Sequence, residues 1–148
     1  MLVIVTGAVL LFFCTAVQAV ITLFLIRKLG SLQHKGYFHK NLFMVALIFE
    51  AVAGVLVLSF LLQILIWALA YLWIGEFSEF ETAFYFSGVT YATLGYGDVI
   101  LSGKWRVLGP FEALNGLIMG GFAASVFFTV TSRMLSSFWK QKNPPPKE

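Results

Sequence analysis

The sequence predicts an all-α integral membrane protein with three membrane-crossing helices and a short re-entrant helix between the second and third. Three observations predict it. Hydrophobic residues make up 59% of the 148-residue chain and charged residues 11%, against about 45–50% and about 25% in soluble domains. Mean hydropathy is +0.88, and the apolar residues gather into three long runs. Between the second and third runs, residues 80–89 are apolar but too few to cross a bilayer, and they lead into a glycine-rich turn. Length leaves room for one domain of ordinary size. The composition excludes a disordered chain, a soluble enzyme domain and a nucleic-acid-binding protein, whose basic face needs clustered cations on a soluble fold.

The first run, residues 2–26, is uncharged and broken only by Thr6, Thr15, Gln18 and Thr22 among its hydrophobic and small residues. As a helix it extends about 37 Å, enough for a hydrocarbon core of about 30 Å. Val17, Gln18 and Ala19 are passable as a cleavage site, but no Lys or Arg precedes the run, so a signal peptide lacks its basic region. The positive charge follows at Arg27 and Lys28, which suits a retained span with its N-terminus outside. Cys14 lies inside this run and, as the only cysteine, forms no internal disulfide.

Residues 27–40 hold Arg27, Lys28, Lys35 and Lys40, no acids, and Gly30 and Gly36 as breakers. They read as a cytoplasmic loop, able to meet anionic lipid headgroups. His34 and His39 in it read as solvated residues. Residues 1–41 therefore form an N-terminal transmembrane helix and basic loop.

The second run, 42–74, exceeds one bilayer thickness, and Glu50 divides it. Residues 51–74 fill the membrane, leaving Glu50 at the cytoplasmic surface. Trp67, Tyr71 and Trp73 gather at the far end as an interfacial belt. Glu76, Glu79 and Glu81 follow outside, then a short helix over 79–92. The last run gives a helix over 105–131, and 133–148 is a short basic tail containing Pro144, Pro145 and Pro146. Eight of the ten basic residues fall in 27–40 and 133–147. These segments share a side if the chain crosses three times, N-terminus outside and C-terminus inside a plasma (inner) membrane.

Residues 83–98, with Gly95 and Gly97 at alternate positions, are either a re-entrant element or an extracellular loop. Non-helical backbone at membrane depth needs protein or water around it. The glycines favour the first reading, since they reach backbone angles closed to other residues and let carbonyls 93–96 point one way. Four chains around an axis would stack rings of oxygen, with the Thr93 hydroxyls at the inner end. Over about 12–15 Å of extended chain, such rings can replace the hydration shell of a potassium ion.

The run Thr93, Leu94, Gly95, Tyr96, Gly97, Asp98 resembles the signature filter of the potassium channels, Thr-Val/Ile-Gly-Tyr/Phe-Gly-Asp. The wider segment is similar to the pore helix and filter of the two-span bacterial and inward-rectifier types. The likeness covers about residues 52–132 and is strongest over 83–98; the first span is an addition to that plan. It implies a pore domain over 42–132, with outer helix 42–74, pore helix 79–92, filter 93–98 and inner helix 105–131, and a homotetramer passing K+ with no cofactor. By position, Thr93, Leu94, Gly95 and Tyr96 would supply the coordinating oxygens. Gly97 would allow the outermost turn and Asp98 would sit at the mouth. Tyr85 and Phe86 match the aromatic pair that braces the filter against the Tyr96 ring. The pore helix should aim its negative end, near Tyr91 and Ala92, at a cavity below.

Three positions depart from the family pattern. Leu94 replaces Val or Ile, Ala92 stands where many members have a second Thr, and Val89 stands where some place a Glu that pairs with the Asp, leaving Asp98 without that partner. Gly116, 19 residues after Gly97, lies close to the family's gating-hinge glycine, with Gly120 and Gly121 as rivals. Leu117, Gly120, Ala124 and Phe128 follow at the i, i+3/i+4 spacing of a lining stripe, with Phe128 as a hydrophobic gate. Glu112 is a functional candidate as an acid within a span; the preferred reading is a structural hydrogen bond to the outer end of the pore helix. No helix has Lys or Arg at every third position, so no voltage sensor is expected. No soluble ligand domain fits after 132. The two histidines share one loop and Asp98 has no acid–base partner, so an enzyme is not expected. Alternatives are a weakly selective cation channel, suggested by Leu94 and Ala92, and a non-conducting accessory or scaffold subunit.

Overall fold

The computed structural model describes residues 1–34 and 42–142. The fold is all-α. Its elements are α1 (Leu2–His34), α2 (Leu42–Trp73), α3 (Phe80–Tyr91) and α4 (Leu108–Lys142). Three are long and apolar enough to cross a bilayer, over Leu2–Leu32, Phe43–Trp73 and Leu108–Ser136. In lipid a spanning segment must satisfy its backbone internally, so runs of this composition have the helix as their only single-chain solution.

Three helix boundaries differ from the sequence expectation. Residues 27–34 are helix rather than loop. Leu25 and Leu29 are buried on the inner face of α1 while Arg27 and Lys28 stand exposed, so the basic side chains reach outward without ending the helix. Lys35, His39, Lys40 and the tail 143–148 lie outside the described residues. The last helix begins at Leu108, not Trp105. Pro110 explains this. It has no N–H and its ring collides with the carbonyl four residues back, so it is tolerated only in a first turn, where amides have no helical partner anyway. Residues 103–107 form a turn instead, with the Trp105 amide donating to Ser102 O at 3.0 Å and the Leu108 amide to Trp105 O at 2.8 Å. At its other end α4 continues to Lys142, past the expected residue 131.

α1 lies chiefly along α4. A Cβ on Gly7 would come within 2.8 Å of the Phe111 ring, and one on Gly30 within 4.0 Å of the Arg133 guanidinium. These two contacts make α1 and α4 parallel and bring Arg27, Lys28 and Arg133 to one end. α2 runs antiparallel to both and packs against each. At the basic end Leu25, Leu29, Val45, Ile48, Val52, Leu56, Ala123, Val126 and Val130 form a three-helix core. At the other end Trp67, Tyr71, Phe86, Tyr91, Trp105 and Met119 pack together and hold α3 against α2 and α4.

Candidate functional site

α3 opens without a side-chain cap. Glu79 precedes it in an extended conformation (φ −114°, ψ 134°), and Glu81 in the first turn complements the positive end of the helix dipole. Phe86 leaves the helix toward Tyr71 and Phe77, with ring centroids 5.2 and 5.4 Å away. It therefore braces α3 on α2 rather than packing on the Tyr96 ring as its sequence position suggested.

The depth of the segment after α3 follows from one contact. The Tyr91 hydroxyl donates to Gln63 Oε1 at 3.0 Å, and Gln63 lies ten residues before the end of α2 at Trp73, which is about 15 Å of helix. The chain descends that far into the bundle as helix and returns as irregular backbone.

Residues 92–98 are exposed, the Tyr96 ring at 66%. Thr93, Gly95 and Gly97 have φ of +59°, +57° and +78°, while Leu94 and Tyr96 between them do not take positive values. Alternation of hand turns successive peptide dipoles the same way. The amides of Leu94 and Gly95 both point at Val89 O, at 3.0 and 3.4 Å. A trans peptide holds each carbonyl opposite the following N–H, and no cis bond is present. The Thr93 and Leu94 carbonyls consequently face away from α3, toward the open side. Gly95 and Gly97 were legible in the sequence. Thr93 was not: a β-branched residue rarely takes positive φ, and such strain persists only where surrounding contacts impose it.

Those same contacts alter the expected end of α3. The carbonyls of Gly88, Val89 and Thr90 accept from amides of residues 92–95, so most of the last turn is bonded back to the chain. The Tyr91 carbonyl is set against the Cα of Gly116; a Cβ there would overlap its oxygen and lie 2.9 Å from its carbon. A hollow of about 440 Å³ beneath the segment brings Thr93 together with Gly116, Leu117 and Gly120. Ala124 and Phe128 lie one and two turns further along α4, both exposed, Phe128 at 75%.

Asp98 has a partner that the sequence reading lacked. The Tyr85 hydroxyl donates to Asp98 Oδ2 at 2.6 Å, and the Val99 amide to Oδ1 at 3.0 Å. The Tyr85 bond holds the Asp98 carboxyl below its ordinary range, and the same bond pushes the Tyr85 hydroxyl up. The loop beyond is tied down by Glu76, whose carboxylate accepts from the Ser102 hydroxyl at 2.9 Å and from the Ser102 amide.

Behind the segment, Glu112 is fully buried and accepts hydrogen bonds from the Tyr71 hydroxyl, at 2.6 Å, and from the Ser87 hydroxyl. It thus joins α2, α3 and α4 in a structural role, although its partner Ser87 lies in the second half of α3 and not at the outer end that was expected. Gln18, Gln63 and Asn115 are buried too. Reasoning from the sequence passed over the last two, although a polar residue inside an apolar run is itself a signal of interhelical bonding. Among the described residues no cluster of His, Cys, Asp or Glu could hold a metal ion.

A family model described as "Ion channel" matches residues 59–133, just over half of the chain. The matched stretch takes in the second half of α2, all of α3, the irregular segment and most of α4; α1 lies outside it. No curated protein and no solved structure matches the chain.

Proposed function

The chain belongs to this ion-channel family, which is not a family of enzymes, and from that premise we propose that it is a potassium-selective channel whose subunits assemble as a homotetramer. One observation carries the reading: positive φ at Thr93, Gly95 and Gly97, with the Leu94 and Gly95 amides turned back on Val89. Carbonyl oxygens on the opposite side then form a column rather than a zigzag. Irregular backbone lying about 15 Å within a membrane bundle cannot face lipid, so other subunits or water must cover it. Four copies around an axis meet that need and surround an ion that one copy cannot.

In this arrangement Thr93, Leu94, Gly95 and Tyr96 supply oxygens that replace the water a potassium ion sheds. Gly97 makes the outermost turn, and Asp98, steadied by Tyr85, places a carboxylate at the mouth. Leu117, Gly120, Ala124 and Phe128 line the path below, and Gly116 is the point about which α4 bends. The basic end bearing Arg27, Lys28 and Arg133 lies at the cytoplasmic face of the plasma membrane, with anionic headgroups as its neighbours, and the N-terminus lies outside. No cofactor takes part; K+ is cargo.

The test is flux from purified protein in liposomes. Potassium-driven, barium-blockable flux is expected, lost in Gly95→Ala and Gly97→Ala, with a mass in detergent corresponding to four chains. Reversal potentials in mixed potassium and sodium decide between this reading and a weakly selective cation channel, which the departures at Leu94 and Ala92 from the family pattern suggest. Absence of any flux, or a dimer, overturns the proposal in favour of an accessory subunit.

A further inference from the structure

α1 lies outside the stretch matched to the channel family, yet the polar contacts at the centre of the bundle lead to it. Gln18 of α1, Gln63 of α2 and Asn115 of α4 are each fully buried. The Gln63 carboxamide uses both ends. Its Nε2 donates to Gln18 Oε1 at 2.9 Å, and its Oε1 accepts from the Tyr91 hydroxyl at 3.0 Å, with Asn115 Nδ2 at 3.5 Å from the same oxygen. In this orientation the Tyr91 hydroxyl donates to the amide oxygen and the amide nitrogen serves Gln18. Gln18 in turn has its Nε2 at 3.5 Å from the Thr22 hydroxyl, one turn along α1.

Tyr91 is the residue on which this chain of bonds has leverage. It ends α3, its carbonyl abuts Gly116, and two residues later the positive-φ segment starts at Thr93. A ring anchored by its hydroxyl cannot turn without carrying the end of α3, and with it the base of that segment. Resting on the filter reading above, we infer that α1 is a positioning element of the conduction path: Gln18, acting through Gln63, fixes Tyr91 and so the inner end of the column of oxygens.

Polar groups that merely glue helices together give a different outcome. Glue governs how much protein assembles; positioning governs how assembled channels behave. The discriminating measurement is therefore single-channel recording of the full chain in planar bilayers with potassium on both sides, comparing wild type, Gln18→Met, Tyr91→Phe and the double variant. Each single variant is expected to change mean open time about threefold, the change in equilibrium that one average interhelical hydrogen bond within a membrane amounts to. The double variant is expected to change it no further than the larger single, because both cut one chain. Should Gln18→Met fail to assemble, Gln18→Asn, whose amide falls one bond short of Gln63, takes its place with the same expectations. Wild-type open time and unit conductance in Gln18→Met and in Tyr91→Phe overturn the inference whatever their yield, and so do independent, multiplying effects in the double variant. A wild-type protein that passes no potassium removes the filter reading and this inference together; wild-type conduction with unaltered variants removes this inference alone.

Discussion

Gly116→Ala is the sharpest perturbation that the packing defines. The added Cβ lies 2.9 Å from the Tyr91 carbonyl carbon and nearer still to its oxygen, where ordinary contact begins at 3.4 Å. The carbon alone must therefore retreat by about 0.5 Å to reach a normal van der Waals separation, and the oxygen by more. No side chain can rotate out of the way, because the obstacle is backbone at the end of α3. Overpacking of this kind costs about 1–3 kcal/mol. The obstacle is backbone, so the upper part of that range applies, and Ala returns about 1 kcal/mol of helix propensity over Gly. The clash wins, leaving a loss of about 2 kcal/mol per chain after the two are set against each other. Gly54 on α2 is the internal control, since nothing lies within 4 Å of a Cβ there. The assay is the thermal midpoint of the detergent-solubilised assembly together with potassium flux from liposomes. Gly116→Ala is expected to lower the midpoint and to displace Tyr91 enough to cut flux, while Gly54→Ala leaves the midpoint unchanged or raised. Equal midpoints and equal flux for wild type and Gly116→Ala would refute the close approach of α4 to α3.

Substitutions at two further positions probe the groups around the segment. The Asp98 carboxyl is held below its ordinary range chiefly by the Tyr85 hydroxyl. The stabilisation from its charged form is present above the ordinary carboxylate range and is lost as pH falls through the lowered value. Tyr85→Phe should raise that value, so the midpoint of current block by external acid moves to higher pH; an unmoved midpoint removes the role given to this bond. Glu112→Leu strands the Tyr71 hydroxyl, whereas Ser87 keeps the Ile64 carbonyl at 2.9 Å. One buried hydroxyl without a partner costs about 1–3 kcal/mol, so the thermal midpoint should fall, and Glu112→Gln should fall less because its oxygen still accepts. Equal midpoints for the two variants would argue against the bond.

The three long helices and the approximate place of each were legible in residues 2–26, 42–74 and 105–130, because twenty apolar residues in lipid leave a single chain no alternative to helix. Pro110 was also legible and was undervalued: the start of α4 at Leu108 follows from proline chemistry without any tertiary contact. The continuation of α1 past Arg27 was harder to read, since basic residues and Gly30 look like a loop until Leu29 is seen in the core. Gly95 and Gly97 announced an unusual backbone, but nothing local about Thr93 did. Phe86 and Tyr85 were both placed by position against Tyr96; one turns into the core and the other finds Asp98.

Composition and local conformational preference belong to a residue and its chain neighbours, and what they control was determined by the sequence alone: a three-span helical membrane protein with a short helix and a glycine-bearing reversal between the last two spans. Which residues meet across 45 positions, as Gln18 and Gln63 do, or across 25, as Tyr91 and Gly116 do, depends on the depth and rotation of whole helices. Packing of every neighbour sets those two quantities together. Only the tertiary structure, therefore, decided that Gln18 of α1 is linked through Gln63 to Tyr91 at the end of α3, that Thr93 takes a left-handed turn, and that a carbonyl occupies the space a side chain at Gly116 would need.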